Sequence, residues 1–468
     1  MYFIYFLISY LVFTIFFTNL KFNFFGISIF LIISISVSAS NQSYYFDARE
    51  ESFKSNIIAN DKAYSVSNVF EDRAQLYTDS NNITKYRDLD FDGNLFIKEF
   101  NLCCPNLGSI HSKGKPIGYL ELYKNFVIYI TGTGEMFYFN LEELMNNSMP
   151  SMNRIQTNFN QLVKNQYLYG IDSRFKLAGA ESIRSIFYDN EFIYVSFINE
   201  SYDDCVNLSI VKGKLDFQTI DFTQFFSTET CIPRTNDSYH SVRSGGVIEN
   251  YDTDNLIFTT GDFGQVELPQ NLESEYGKTL KINKNDASFE ILSYGHRNSQ
   301  GIKKFDTDLF LSTEHGPRMG DEINIISTQA LNNYGWPMSS YGVHYNSNYG
   351  INYSFEVIPD APLYKSHKDF GFIEPIYYFG FDKALEHGIS DIEIINSESD
   401  NLQFIFGSLA YGRLYIASYD TNMKKFNSLS SYNVNNRIRD IVKVDSKTFV
   451  GLFENPPKIS IISLPDNK

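Results

Sequence analysis

The segment "YDNEFIYVSF", residues 188–197, joins a polar turn to a run of aromatic and β-branched residues. A turn of this kind followed by such a run is typical of a β-strand entered through a tight turn. Similar runs recur along the chain, so the sequence predicts a repeated β unit. The runs are "FVIYIT" (126–131), "FIYVSF" (192–197), "LIFTTG" (256–261), "LFLSTE" (309–314), "FIFGSL" (404–409) and "TFVGLF" (448–453).

The spacing of these runs indicates the architecture. It averages roughly 60 residues per unit, which suits a propeller with inserted loops better than a compact sandwich. The interval from 314 to 404 must hold an extra blade or a large insertion, so five to seven blades fit and six fit best. The prediction is an all-β, six-bladed β-propeller over residues 106–468, preceded by a more polar N-terminal extension over 41–105.

Composition limits the partners of the protein. The 468 residues are 43% hydrophobic and 20% charged, which indicates a globular protein with a large core. The net charge of −16 would repel nucleic acid phosphates and anionic membranes. We therefore expect a small-molecule ligand and no nucleic acid partner.

Residues 1–40 differ from the rest of the chain. They carry one charge, Lys21, between two apolar runs and end in the small residues "SVSAS". This pattern predicts a secretory signal peptide and an exported protein, periplasmic or extracellular. An uncleaved membrane anchor is the alternative, because each run approaches the roughly 18 apolar residues of a spanning segment.

The four cysteines fit an oxidising compartment. Cys205 and Cys231 bracket a hairpin-like stretch whose turn is predicted at 212–214, and a disulfide across it is expected. Cys103 and Cys104 are adjacent, and we interpret them as buried or externally paired thiols.

Six motifs occur in a fixed order between about residues 180 and 455. This order resembles the glucose/sorbosone dehydrogenase family, the soluble quinoprotein sugar dehydrogenases. The resemblance implies a six-bladed propeller that binds pyrroloquinoline quinone (PQQ) and Ca2+ at one end of its channel. It also implies oxidation of an aldose-type sugar at C1 by hydride transfer to PQQ, with an electron acceptor that the sequence does not identify. The motifs are "GHRNSQG" (295–301), "STEHGPRMGDEINII" (312–326), "NNYGWP" (332–337), "YGVHY" (341–345), "FIFGSLAYGRLYI" (404–416) and "NNRIRDIV" (435–442).

Arginines suit the three carboxylates of PQQ, because a guanidinium fork pairs with a carboxylate through two hydrogen bonds. Arg297, Arg437 and Arg439 are the candidates, and the last two share one face if they lie on a strand. The alternative is that Arg437 and Arg439 form ordinary ion pairs with nearby acids. By resemblance, Arg297 would also stabilise charge on the quinone, Asn298 would hold the cofactor and His315 would line the substrate side.

Calcium binds oxygen ligands, including backbone carbonyls. The resemblance assigns the cofactor-bridging ion to the carbonyls of Gly316 and Pro317. It assigns a second ion to Glu322 and the backbone near Tyr334. An acidic surface pair, Asp321 and Glu322, is the alternative interpretation.

The general base is ambiguous in the segment "SYHSVRSGG" (238–246). In the family, a His just ahead of a Ser-Gly or Gly-Gly pair takes the proton, and an Asp orients it; Asp262 matches that Asp. A gapless alignment puts Arg243 at the base position, whereas a short insertion restores His240, which we favour. Arginine cannot act as a base near neutral pH, and imidazole can.

Two further positions bear on function. Ala410 stands where family members carry a Lys that contacts the quinone. Trp336 is the single tryptophan and is expected to pack in the core or a loop.

Three functions stay open: a PQQ-dependent sugar dehydrogenase, a non-enzymatic propeller that binds a glycan or protein, and, last, a metal-dependent hydrolase such as a lactonase.

Overall fold

The computed structural model describes residues 84–102, 117–146, 150–169, 181–317, 320–342, 367–379, 387–397 and 400–465. All of them lie in the unit Ser65–Lys468, one of two into which the chain divides. The predicted signal or anchor segment, and Cys103 with Cys104, lie outside the described residues.

Strands make up most of the described chain. The first fourteen are β1 (Thr84–Asp90), β2 (Phe96–Asn101), β3 (Gly118–Tyr123), β4 (Phe126–Thr131), β5 (Met136–Asn140), β6 (Asn153–Thr157), β7 (Ile183–Asp189), β8 (Phe192–Tyr202), β9 (Cys205–Lys214), β10 (Thr219–Ile220), β11 (Thr223–Ser227), β12 (Ile232–Pro233), β13 (Gly245–Asn250) and β14 (Asn255–Thr260). The others are β15 (Lys278–Asn283), β16 (Phe289–Tyr294), β17 (Ser299–Asp306), β18 (Leu309–Glu314), β19 (Glu322–Ser327), β20 (Asn332–Asn333), β21 (Tyr377–Tyr378), β22 (Ile389–Asn396), β23 (Asn401–Ser408), β24 (Arg413–Asp420), β25 (Lys425–Asn433), β26 (Ile438–Lys443), β27 (Thr448–Glu454) and β28 (Pro457–Ser463).

Helices are few and short within the described ranges. They are α1 (Leu141–Met145), α2 (Phe159–Leu162), α3 (Gln166–Tyr169) and two 3-10 turns, Ser241–Arg243 and His367–Phe370. In this part of the chain no helix has the length and apolar character needed to cross a membrane.

The strands form six sheets of four or five strands, and the predicted six-bladed β-propeller is confirmed. From the channel outward, the sheets are β3-β4-β5-β6-β10, β7-β8-β9-β11 with β12 on β9, β13-β14-β15-β16-β20, β17-β18-β19-β21, β22-β23-β24-β25 and β26-β27-β28-β2-β1. We number these blades 1 to 6 in this order.

Each predicted run falls in a different blade. All six runs belong to the second strand from the channel, namely β4, β8, β14, β18, β23 and β27. The innermost strands, which pack against one another around the channel, are the more polar ones that precede them. Second strands are buried on both faces and therefore read as continuous apolar runs.

Blade 6 contains strands from both ends of the described chain. Residues 96–101 of β2 pair antiparallel with 458–463 of β28, and β1 adds the outer strand. The propeller therefore includes residues 84–101, which the sequence analysis assigned to an extension ending at residue 105. The observed start of the propeller differs from the predicted one because the two paired segments lie over 350 residues apart in the sequence. A local sequence pattern cannot show such a pairing.

Side-chain acceptors close the channel edge of the inner strands. Asp440 of β26 accepts from the backbone N–H of Leu120 in β3 at 2.5 Å, across the junction of blades 6 and 1. Asp391 of β22 likewise accepts from Ile441 at 3.1 Å, and Glu121 of β3 accepts from Tyr188 at 3.0 Å. These contacts satisfy strand-edge donors that face the channel, where an unpaired donor is costly.

The expected disulfide between Cys205 and Cys231 is confirmed, with a Cα–Cα distance of 5.7 Å. The predicted turn at 212–214 is wrong, because these residues still belong to β9, which pairs with β11. The chain reverses after Lys214.

Candidate functional site

Two of the sequence motifs meet where blade 4 begins. Ser299 of β17 pairs with Glu314 of β18, so the residues just before β17 lie opposite those just after β18. The Asn298 carbonyl accepts from His315 N at 3.0 Å, and Arg297 donates through Nη1 to the His315 carbonyl at 2.8 Å. The sequence-predicted residues Arg297, Asn298 and His315 are thus neighbours because of strand register.

Glu314 supports this group and was missed by the sequence analysis. Its carboxylate accepts from Arg297 N and from Nδ1 of His296 at 3.0 Å. Burial raises the pKa of Glu314, but His296 and the backbone donors outweigh burial and leave it lowered. A Glu at the end of an apolar strand was the available signal, since a charge there needs a partner when it is buried.

Asp262 is fully buried and bonded to Arg243. The Arg243 guanidinium, 2% exposed, donates to Asp262 Oδ2. Trp336 Nε1 donates to the same oxygen at 2.7 Å, and Gly264 N donates to Oδ1 at 2.8 Å. The carboxylate predicted to orient the base therefore holds the residue that the gapless alignment puts at the base position.

His240 lies close to this pair without bonding to Asp262. It is half-buried at the start of the turn Ser241–Arg243, and its backbone N–H donates to Phe263 O at 2.8 Å. Its Nδ1 is buried with no hydrogen-bond partner among the described residues. Burial, followed by the charges of Arg243 and Arg297, lowers the pKa of His240 well below its usual range, so the imidazole is neutral.

Trp336 packs as predicted in a buried loop, at 4% exposure. The guanidinium carbons of Arg243 and Arg297 lie 5.7 and 5.4 Å from its ring centroid. The indole therefore contacts both cations while its N–H holds Asp262, a role that its position in the sequence did not indicate.

Arg437 and Arg439 do lie on one face, and both bond to Glu454. Arg437 Nε is 2.9 Å and Arg439 Nε 2.7 Å from its carboxylate oxygens. Arg437 also donates to Leu409 O at 2.9 Å and is half-exposed, whereas Arg439 is buried.

Buried guanidiniums lie near the histidines of this channel end and act on their pKa values. Arg184, another residue that the sequence analysis missed, is 6% exposed and donates to Ser241 O at 2.8 Å. Burial, followed by the charge of Arg297 and then that of Arg439, lowers the pKa of His315 to about 3. His315 is therefore neutral, and its buried Nε2 has no hydrogen-bond partner in the described part of the chain.

The residues predicted to bind metal line a small cavity. Gly316, Pro317, Glu322 and Tyr334 border it together with Arg297, Glu314, Trp336, Ser339 and His367. Gly316 allows no side chain, because a Cβ there would lie 1.7 Å from Gly320 O. His367 was not predicted; its Nε2 lies 3.5 Å from Glu322 Oε1.

The fold and these motif positions define the class of the protein, a six-bladed propeller with an arginine-rich channel end. The glucose/sorbosone dehydrogenase profile matches residues 182–455, and the chain belongs to that family.

Among its relatives, the aldose sugar dehydrogenase YliI of Escherichia coli is 29% identical over 227 residues. The match covers 45% of this chain and 56% of that protein, so the chain spans about half the length of this curated relative.

Solved structures share the fold. The apo-form aldose sugar dehydrogenase of Escherichia coli is 19% identical with a TM-score of 0.54, over 75% of this chain and 97% of the other. The PQQ-bound aldose sugar dehydrogenase of Streptomyces coelicolor is 16% identical with a TM-score of 0.52, over 75% and 95%.

Proposed function

We propose that this chain is a quinoprotein oxidoreductase that oxidises an aldose-type sugar at C1 and uses PQQ with calcium. The observation that carries the proposal is the set of guanidiniums that the fold brings to one channel end, Arg184, Arg297, Arg437 and Arg439, in a chain whose residues 182–455 match the glucose/sorbosone dehydrogenase profile. A guanidinium pairs with a carboxylate through two hydrogen bonds, so this set suits a ligand with several carboxylates.

PQQ fits this requirement, and a protein of the same fold has been solved with PQQ bound. Its three carboxylates call for guanidinium partners, which Arg297, Arg437 and Arg439 provide. Arg437 and Arg439 share one Glu454 carboxylate, so two cations face one anion there. Ala410 stands in place of a cation that other family members carry, so the arginines would supply more of the binding energy for PQQ. Bound PQQ supplies the hydride acceptor.

The chain's own residues would orient the reactants. Arg297, held by Glu314 and the His315 carbonyl, would direct its charge at the quinone oxygen. Asn298 is fixed by donating to Val242 O at 3.1 Å and would hold the cofactor. The neutral His315 would line the sugar site: its Nδ1 faces the amide donor of Asn298 at 3.3 Å, so Nε2 carries the proton and can donate a hydrogen bond to a sugar hydroxyl oxygen.

His240 would accept the hydroxyl proton of the sugar. Its imidazole is neutral, and its Nδ1 has no hydrogen-bond partner among the described residues, so this nitrogen can carry the lone pair that a base requires. Its lowered pKa makes it a weaker base than a histidine oriented by a carboxylate. We therefore expect a slow enzyme, since Arg243 holds the carboxylate that would otherwise raise the basicity of a histidine.

Calcium would bind at the Gly316–Pro317 step. Gly316 permits the close approach of Gly320, because a side chain at Gly316 would clash with the Gly320 carbonyl. The Pro317 carbonyl accepts from Gly320 N at 2.9 Å. Carbonyls at such a turn are oxygen ligands of the kind that calcium takes. Glu322 and the Tyr334 backbone would hold a second ion.

A non-enzymatic propeller that binds a glycan or protein is the second candidate. The Arg243–Asp262 ion pair favours it, because the carboxylate expected to orient a histidine base is bonded to an arginine, which cannot act as a base near neutral pH. Both candidates agree with export to a periplasmic or extracellular compartment, which the Cys205–Cys231 disulfide supports.

Adding PQQ and calcium to the purified full chain, followed by a panel of aldoses, tests the proposal. We expect PQQ binding, a reduced-quinone absorbance on sugar addition, and sugar-dependent reduction of an artificial dye. PQQ binding without turnover would support the second candidate, and no PQQ binding would reject the cofactor.

A further inference from the structure

Lys278 is a buried lysine that the proposed mechanism does not use. It is the first residue of β15 and is 0% exposed. Its Nζ donates to three backbone carbonyls, those of Leu268 at 2.8 Å, Pro269 at 3.1 Å and Tyr276 at 2.7 Å. A buried ammonium is costly unless it is hydrogen-bonded, and three acceptors match its three N–H donors.

The three carbonyls favour the charged form of this lysine. Burial lowers the pKa of Lys278 to about 7, and the charge of Glu275 opposes that shift. A neutral amine has two N–H donors and a lone pair, which would then point at one of the three carbonyl oxygens. The arrangement of three acceptors around one nitrogen therefore indicates an ammonium.

The carbonyls belong to the loop 261–277, which joins β14 to β15 and contains Asp262 at its start. Lys278 follows the end of this loop and bonds to carbonyls within it, so one side chain fixes several turns of the loop. The carbonyl of Pro269 also accepts from Gly295 N at 3.1 Å. The loop is thereby attached to the motif 295–301, which contains Arg297.

The residue that follows Pro269 connects the loop to the single tryptophan. Gln270 Nε2 donates to Trp336 O at 2.6 Å and to Asn333 Oδ1 at 3.1 Å, and Asn333 Nδ2 donates to Gln270 Oε1 at 2.8 Å. Trp336 Nε1 donates in turn to Asp262 Oδ2 at 2.7 Å. A continuous series of contacts therefore joins the loop that Lys278 fixes to the buried carboxylate of the candidate site.

We propose that Lys278 is a positioning residue of the candidate site. Its ammonium is a cation built into the chain, and it holds the loop 261–277 in the shape that places Gln270 against the Trp336 carbonyl. The indole is thereby kept in place to donate to Asp262. This inference rests on the proposed function in taking the site to oxidise a sugar, whereas the contacts that carry it belong to the chain alone.

Chemical rescue of Lys278→Ala tests the inference, with Trp336 as the reporter because it is the only tryptophan of the chain. We expect its fluorescence to shift to longer wavelength, because the indole of a displaced loop gains contact with water. Turnover with PQQ, calcium and sugar should fall by up to about 10²-fold, the loss that a displacement of about 1 Å can cause. Propylammonium replaces the atoms that the substitution removes and should restore both signals. Tetramethylammonium at equal concentration has no N–H donor and should restore neither.

Lys284→Ala is the matched control, because Lys284 is a second buried lysine at the opposite end of β15. It is 8% exposed, and its Nζ donates to Asp252 O at 2.8 Å and to Asn250 Oδ1 at 2.9 Å. We expect this variant to be less stable than the wild type, with the tryptophan emission and the turnover of the wild type.

The outcomes separate this inference from the proposed function. An unchanged emission in Lys278→Ala, equal effects of the two added cations, or the same emission shift in Lys284→Ala would overturn it. If Lys278→Ala does not fold, Gln270→Ala decides the matter, because it removes the link to Trp336 and should shift the emission in the same direction; an unchanged emission would overturn the inference. An emission shift that propylammonium reverses, in a protein without PQQ-dependent turnover, would reject the proposed function and leave the role of Lys278 standing. Turnover in the wild type without an emission shift in Lys278→Ala would do the reverse.

Discussion

Removing either partner of the buried Arg243–Asp262 ion pair should destabilise the protein by unequal amounts. Breaking a buried pair costs about 3–5 kcal/mol, because one charge is left uncompensated. After Arg243→Ala, Asp262 keeps the donors Trp336 Nε1 and Gly264 N. After Asp262→Ala, Arg243 stays buried without this carboxylate, and the guanidinium of Arg297 also lies close to the ring of Trp336. We therefore expect about 3 kcal/mol for Arg243→Ala and about 5 kcal/mol for Asp262→Ala.

Urea unfolding of the two single variants and the double variant measures this difference and the coupling energy. The double variant should lose much less than the sum of the singles, because it leaves no unpaired charge. Arg437→Ala is the matched control: its guanidinium is half-exposed and Glu454 keeps Arg439, so the expected loss is at most about 1 kcal/mol. Additive single losses, or a larger loss for Arg243→Ala than for Asp262→Ala, would refute the reasoning.

His240→Ala should lower turnover by about 10² to 10⁴ while PQQ affinity changes little, and equal turnover in dye-reduction assays would show that His240 is not the base. Saturating calcium should stabilise the folded protein by about 2.7 kcal/mol at a hundredfold excess over the dissociation constant, and so raise its melting temperature. An identical melting curve for metal-free protein would count against any calcium site. Burial raises the pKa of Glu393 in the channel to about 7, so the stability it contributes is complete below about pH 4.5 and is lost as the pH rises through 7. The free energy of unfolding should therefore fall between pH 5 and 8, by up to about 3 kcal/mol for this group. Glu393→Gln should flatten that fall, and an unchanged slope in this variant would contradict the assignment.

The sequence predicted the ring well because second strands of a propeller are buried on both faces. Runs such as Phe126–Thr131 and Leu309–Glu314 match strand bounds residue for residue. The inner strands escaped notice because they carry channel charges, for example Lys303, whose Nζ lies 3.2 Å from Glu249 and 3.0 Å from Glu393. In the sequence alone, where no channel is visible, the polar residues of these strands resemble those of loops.

The candidate site was predicted less completely, for three physical reasons. The register around His240 and Arg243 depends on an insertion that local sequence leaves undetermined, whereas the buried carboxylate of Asp262 bonds Arg243. His367 lies 45 residues after Glu322, so their approach depends on tertiary structure alone. Arg184 sits inside an apolar strand, where its charge had no visible partner in the sequence.

The sharing of blade 6 between both ends of the described chain has a consequence for synthesis. A ribosome releases residues 84–101 before blades 1 to 5 and residues 457–463 after them, so β2 remains unpaired on its β28 side while those blades are made. Until β28 emerges, β2 therefore has an edge without its partner strand. Such edges favour pairing with other chains. Self-association through this edge must therefore be avoided during translation. The edge of β2 is covered only when the hairpin of β27 and β28 is complete.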